Sequence, residues 1–391
     1  MQERLASSSK ADDALLGLSN DELVRALSLV TIDGEAMVPT IAGILLLGKR
    51  EAIKRIVPNH GGAFQVIEGA TPWVDKDYCG PILSIVEDME SMLSGWNPGA
   101  ELFDGFYRIT IPEFNVDAVR EGIVNAFGHR DYTVLGQVRV QIDELGLSIS
   151  SPGGFIDGVT SANLLTVDPR GRNLCLMDAL KRIGMAERTG RGVDRIYEGL
   201  LRVGRHVPEW TESAGAHVRL FIPRGNPDEG FMKMLEEARK RMGAMPSVWS
   251  MLALDALGTQ GPLTARKLGE HLHMSQSEAE ATLEGLLLIG LVGQESYNGT
   301  RRFFLNKEVY GQRYDHPGVT RTKIDSAEYP ASVYDHVLRN GSVSTGEVMS
   351  MLDVSAKHAY RILMSLVDDG KIVRSGKGAA TRYVLPDMRA E

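Results

Sequence analysis

Glu121, Asn125 and His129, spaced at i, i+4 and i+8, carry the most explicit chemistry in this sequence. A helix begun near Val116 gathers Ala118, Val119, Ile123, Ala126 and Phe127 into one apolar sector and sets those three along a second, polar face. A carboxamide oxygen can ligate Mg²⁺, and a carboxylate one turn earlier can orient a water. The pair therefore suits metal-nucleotide work. Taken alone, the triplet also reads as a solvated face of an ordinary amphipathic helix.

The neighbouring elements must decide between these. Phe106 to Ile111 reads as a strand before that helix, and Val138 to Ile142 and Leu145 to Ser150 read as a hairpin after it. The order suggests helices laid on one face of a mixed sheet. Ser151-Pro152-Gly153-Gly154 then leaves the sheet, and Glu187-Arg-Thr-Gly190-Arg191-Gly192 opens an amphipathic helix over Val193 to Val203. Glycines at a helix start let bare N–H groups meet an anion, though a lone Gly-X-Gly is also a simple cap. Upstream, Ser19 to Glu22 is a capping box, and Tyr78 to Trp96 reads as a long helix ended by Asn97-Pro98-Gly99. Gly43, Gly48 and Lys49 nearly match a phosphate loop. Arg50 stands where Ser or Thr is needed, and Ile44 to Leu47 suit a buried element, so the match is rejected.

Composition narrows the classes. The 391 residues are 43% hydrophobic and 24% charged, with a formal net charge of −8, so any nucleic-acid contact is local and not a general basic coat. Cys79 and Cys175 have no metal-spaced partners, which excludes a zinc ribbon or disulfide framework and suits a reducing cytoplasm. The first residues lack the apolar core of a signal peptide, and the longest apolar run, Ile41 to Leu47, is too short for a bilayer.

The ordered set Glu121-X3-Asn125-X3-His129, Gly153-Gly154 and Gly190-X-Gly192 resembles the N, G1 and G2 boxes of the Bergerat-fold (GHKL) ATPases. Arg-Glu-X3-Asn-Ala-X2-His-Arg-Asp-Tyr, Ser-Pro-Gly-Gly, Arg172-Asn173 and Glu-Arg-X-Gly-X-Gly are similar to bacterial transcriptional regulators with a Schlafen/AlbA-type N-terminus, whose connector Thr40 to Lys49 resembles. The resemblance spans roughly Gly17 to Pro223. It implies ATP and Mg²⁺ as cofactors, with Asn125 ligating the metal and Glu121 polarising the attacking water. Gly153 and Gly154 would shape the adenine end; Gly190, Arg191 and Gly192 the phosphate end; and Arg170, Arg172 and Asn173 a lid. His129 would support the metal side or pack at the helix end. Ser150 and Ser151 occupy the place of the family's adenine-binding aspartate, and a neutral acceptor is weaker by roughly half than a charged one. The first half of a Schlafen/AlbA-type domain has no room before Met1, so the chain reads as a short member.

Beyond a linking helix, Phe231 to Met242, the sequence repeats at an offset of 80: Gly261, Leu263, Leu268, Ser275, Leu283 and Gly290 align with Gly341, Val343, Val348, Ser355, Leu363 and Gly370. Each copy reads as a winged helix-turn-helix, with Ser275 and Ser355 capping the third helix. Glu278, Glu280 and Glu284 make the first copy's third helix repulsive to phosphate, which assigns it to dimerisation or docking. The second carries Lys357, His358 and Arg361 there, and Arg374, Lys377 and Arg382 on its wing, so if duplex DNA is bound the second copy binds it, the other reading being a protein-binding winged helix without DNA contact. Tyr360 is expected to pack.

The expected fold is α+β: residues 1–100 a partial Schlafen/AlbA-like connector, 101–225 a two-layer Bergerat ATP-binding domain, 226–245 a linker helix, and 246–310 and 327–387 two winged helices. The expected protein is a cytoplasmic, homodimeric, DNA-binding transcriptional regulator governed by Mg-ATP, without membrane contact. Two alternatives are kept open: a slow ATP-hydrolysing defence or DNA-processing effector, and a nonenzymatic scaffold with a degenerate pocket.

Overall fold

The structure is a computed structural model and describes residues 5, 11–69, 71–104, 107–187, 190–213, 216–297, 300–306, 309, 329–352, 356–375 and 381–386. The chain divides into two units, Met1–Tyr314 and Asp315–Glu391.

The first unit is organised by a six-stranded sheet in the order β4-β3-β7-β8-β10-β9, built from β3 (Gly62–Glu68), β4 (Thr71–Tyr78), β7 (Val138–Ile142), β8 (Gly146–Pro152), β9 (Glu209–Ser213) and β10 (His217–Pro223). Only β3 and β7 pair in parallel; the other neighbours are antiparallel. Val138, Val140, Ile142, Leu147, Ile149, Leu220 and Ile222 are all buried, and pack in one core with helices α4 (Ile82–Gly95), α5 (Val116–His129) and α7 (Gly192–Leu201). The mixed sheet with helices is as the sequence suggests.

Its strands are not all the expected ones. The strand expected over Phe106 to Ile111 is β6 (Tyr107–Pro112), and it pairs only with β5 (Gly99–Asp104) in a separate hairpin. In the main sheet its place is taken by β3 and β4, which precede residue 100 and share one sheet with strands that follow it. β3 hid because Gly62 to Phe64 are buried consecutively, leaving no alternation to read, and β4 because it is an exposed edge strand interrupted by Pro72. The long helix starts at Ile82, not Tyr78, since Tyr78 still pairs with Gly62. Ser19 makes its capping box with Glu22 on α1 (Asn20–Ala26). Ile41–Leu47 is a helix, α2, with Gly43 to Leu46 buried, so no phosphate loop exists there.

The end of α5 is held by charge. Arg130 is fully buried and donates to the carbonyls of Asn59 (2.6 Å), Gly136 (2.6 Å), Asp131 (3.1 Å) and Val134 (3.2 Å), while its guanidinium lies 4.8 Å from the Tyr132 ring. Tyr132 donates in turn to the Phe127 carbonyl at 2.9 Å.

Two short modules follow with the same element order. α9 (Val248–Gln260), α10 (Ala265–Leu272) and α11 (Gln276–Leu288) precede the hairpin β11 (Val292–Tyr297) and β12 (Thr300–Leu305). In the second unit α12 (Tyr329–Asn340), α13 (Thr345–Leu352) and α14 (Ala356–Asp368) precede β14 (Val373–Ser375) and β15 (Arg382–Val384), with β13 (Ser342–Val343) paired to β15. Their cores correspond position by position: Ala253, Leu257, Leu263, Leu268, Ala279, Leu283 and Phe303 in one, Val333, Val337, Val343, Val348, Ala359, Leu363 and Tyr383 in the other. The linking helix α8 (Glu229–Met242) buries Phe231, Met234, Leu235 and Ala238 in the first module's core, which also takes in Leu201 from α7.

Replacing the fully buried Arg130 by Leu strips four carbonyls, on half-buried or exposed residues, of their donor, so the expected loss is about 2 kcal/mol of unfolding free energy. Urea denaturation measures it; a loss below about 1 kcal/mol would show that the carbonyls find other partners.

Candidate functional site

Helix α5 is fixed at both ends: the Asn115 side chain accepts from Ala118 N at 2.9 Å, and Asn173 Nδ2 donates to the last carbonyls, Gly128 (3.0 Å) and Arg130 (2.8 Å). With the apolar face on the sheet, Glu121, Asn125 and His129 line a cavity of about 470 Å³. Ser151, Gly153, Gly154, Gly190 and Gly192 line it as well. Arg172, Asn173 and Arg191 do not, although the sequence placed them with the ligand. Arg172 pairs with Asp131 and donates to Gly154, Asn173 caps α5, and Arg191 is exposed at the cap position of α7.

The glycine-started helix faces the acid and the amide. Asn125 Nδ2 donates to Glu121 Oε1 at 3.2 Å, and the Glu121 carboxylate is only 7% exposed. A Cβ on Gly192 would run into that carboxylate and come within 3.3 Å of Asn125 Nδ2, so any other residue there would push the Glu121 side chain aside. Arg191 makes no side-chain capping hydrogen bond at the start of this ten-residue helix, the kind of helix end that can meet an anion. A second buried carboxylate, Glu187, lines the cavity and is paired with Arg195.

Among the described residues no group of three His, Cys, Asp or Glu side chains could enclose a metal. A cation here would take one or two protein oxygens and otherwise phosphate and water, which is how Mg²⁺ binds. Asn125 fits that part, because its NH₂ is spent on Glu121 and its oxygen remains an acceptor. At the other end Ser151 donates to the Ala126 carbonyl at 2.7 Å, so the hydroxyl offers the cavity only lone pairs. Burial, reinforced by Lys181 and Arg172, pushes the His129 imidazole down to about 4, so it is neutral at pH 7.

Sequence reasoning missed several lining residues. Leu174, Met177, Asp178 and Lys181 form one face of α6 (Leu174–Arg182), at a helical spacing that was available as a signal. Val218, Leu220 and Trp210 come from β10 and β9, which were left unassigned. The second module's charges are only partly placed. Arg361 is exposed; Arg374 donates to Thr381 at 3.4 Å; Arg382 is paired with Glu347 at 2.9 Å and donates to Ser342 at 2.8 Å. Ser355, Lys377 and the side chains of Lys357 and His358 lie outside the described residues. Tyr360, expected to pack, is 50% exposed. In the first module Arg301 pairs with Glu284 (2.9 Å) and Glu280 (3.6 Å).

Residues 136–222 match the family model HATPase_c_4, described as "Putative ATP-dependent DNA helicase recG C-terminal". An ATPase-like domain is therefore present. The matched stretch takes in Ser151 to Gly154 and Gly190 to Gly192, while Glu121 and Asn125 precede it. Residues 2–61 match a domain of unknown function, DUF8451. A comparison with curated proteins finds no match. Among solved structures, the DIP2311 protein from Corynebacterium diphtheriae is similar over 98% of this chain and 67% of its own, with 24% identity and a TM-score of 0.66, a likeness of fold. The mRNA-binding domain of elongation factor SelB from E. coli in complex with SECIS RNA matches over 39% of this chain and 96% of its own, at 16% identity and a TM-score of 0.14. ScpB from Mycobacterium tuberculosis matches over 36% and 92%, at 17% and 0.13. Neither of these two carries an argument. Among the described residues no helix is long and apolar enough to cross a membrane.

His60, buried and likewise held near 4 by desolvation, behaves as His129 does. Both rings are neutral when folded and bind protons more readily when unfolded, so the stability they contribute is complete above about pH 6.5 and drains as pH falls toward 4. Between pH 6.5 and 5 the urea midpoint of the wild type is expected to fall with acidification, and His129→Gln should remove roughly half of that slope. An unchanged slope would mean His129 titrates as in water.

Proposed function

We propose that this chain is a Mg-ATP-binding, DNA-binding transcriptional regulator in which a GHKL-type domain governs tandem winged helices. The observation that carries the nucleotide half is that Glu121, Asn125 and the glycine start of α7, which has no side-chain cap, come together in the lining of one cavity. Gly190 to Gly192 would hold the phosphates, Asn125 would ligate a Mg²⁺ that supplies charge neutralisation there, and Ser151 would meet the base. The match to an ATPase-like family supports the same reading.

Helix α7 supplies a route for control. Its start lines the cavity, Ile196 and Leu200 pack in the sheet's core, and Leu201 and Tyr197 pack in the core of the first module. Over ten residues, about 15 Å, any shift of the helix that nucleotide favours is delivered to that module. The first module, docked there and acidic on α11, is suited to transmission. The second, with Arg361 exposed on α14, is the one proposed to meet duplex DNA, in a cytoplasmic homodimer. Thr40 to Lys49 would belong to a Schlafen-type connector within residues 1–100.

Glu121 favours a second reading, slow ATP hydrolysis, because a buried carboxylate beside the metal-ligating amide is placed to take a proton from water. Calorimetric titration with Mg²⁺ and a non-hydrolysable ATP analogue is expected to give Mg-dependent binding that Asn125→Ala abolishes; absence of binding in the wild type ends the nucleotide reading. If the chain hydrolyses ATP, Glu121→Ala should keep binding and lose about 100-fold or more in turnover. For DNA, Arg361→Glu is expected to weaken duplex binding and lower the salt slope by about one. Equal retention by the variant would remove α14 as the reading helix.

A further inference from the structure

The covering segment, residues 155–171, has turns but no helix or strand, and supplies Phe155, Ile156, Val159, Val167 and Pro169 to the cavity wall. Its two ends meet at one side chain. Arg172 Nη2 donates to the Gly154 carbonyl at 2.9 Å, while Nη1 pairs with Asp131 Oδ2 at 2.7 Å. Asp131 is itself fixed, accepting from Thr133 N (2.9 Å) and Thr133 Oγ1 (2.6 Å), with its backbone N–H donating to the Pro152 carbonyl at 2.9 Å. Gly153, at φ +98°, passes so close that a Cβ there would fall 2.6 Å from Asp131 Cβ and 3.2 Å from Arg172 Nη1. At the far end Pro169 sits where a Cβ on Gly190 would be.

We propose that Arg172, held by Asp131, is a positioning residue: one guanidinium clasps both ends of the covering segment and sets the Gly153-Gly154 turn against the base of the bound nucleotide. The inference rests on the nucleotide reading of the cavity. Arg172 touches no ligand in it. A loop of seventeen residues closed at its base behaves as a single flap, and opening it requires breaking a bidentate bridge that only a planar, two-armed cation can make. Lysine would keep the charge pair with Asp131 but lose the second arm to Gly154. Because the clasp acts at the base end, it affects a diphosphate and a triphosphate alike.

Arg172→Ala and Arg172→Lys are therefore expected to behave the same way. Without nucleotide, chymotrypsin cleavage after Leu164 or Leu165 should rise about tenfold in each. Affinities for Mg-ADP and for a Mg-bound non-hydrolysable ATP analogue should fall by one common factor of about ten. A lysine variant indistinguishable from wild type in both measurements would overturn the proposal, since charge alone would then suffice; so would a loss confined to the triphosphate. If the alanine variant does not fold, the lysine variant decides. Should the wild type bind no nucleotide while cleavage rises in both variants, the nucleotide reading fails and the clasp of the flap stands.

Discussion

A carboxylate taken out of water has to be answered, and in this chain the answer to Glu121 fixes where two helices go. The Asn125 amide one turn along α5 donates to it, and the start of α7 lies close against it at Gly192, which has no side chain. Since α5 lies on the sheet and α7 must reach α5, the position of the cavity, its phosphate-friendly end and the seat of the following module all descend from that single approach. The helix start, without a side-chain cap, brings the partial positive charge of its dipole to the same place. The contact that makes the buried acid tolerable is thus also the one that would hold an anion.

The run His129-Arg130-Asp131-Tyr132 looks chemical in the sequence and is mainly architectural in the fold. The buried Arg130 donates to four backbone carbonyls, Tyr132 closes back on the helix end, and Asp131 carries the bridge to Arg172. Only His129 faces the cavity, and burial keeps it neutral. A buried arginine surrounded by backbone oxygens is a costly device used to pin an irregular turn, which has no ladder of its own. Here the pinned turn is the one beside which the covering segment begins and ends.

The two helical modules share a core pattern and differ in surface charge, so a common fold has been given two surfaces. In the first, Arg301 of the hairpin neutralises Glu280 and Glu284 of the third helix, and the module is joined to α7 through Leu201. In the second, Arg382 is spent on Glu347, leaving Arg361 as the described, exposed cation of the third helix. Partition of charge between copies, with the core held constant, lets one duplicated element present two different surfaces.

Local chemistry was legible in the residues themselves. The spacing of Glu121, Asn125 and His129, the Gly-Gly turn, the Gly-X-Gly helix start, the Ser19 and Ser275 caps and the offset of 80 all act within a few turns of chain or between copies of one pattern. Pairing at long range was not. β3 joins β7 across some seventy residues, and being buried on consecutive positions it shows no alternation that would announce it. Nor could sequence tell which polar groups near the cavity face a ligand and which face the protein: Arg172 and Asn173 carry the same donors either way, and only the positions of Asp131, Gly154 and the end of α5 commit them inward. Residue type and spacing determine what a segment can do. Which partner it meets is settled by folding, because burial leaves each donor one place to go.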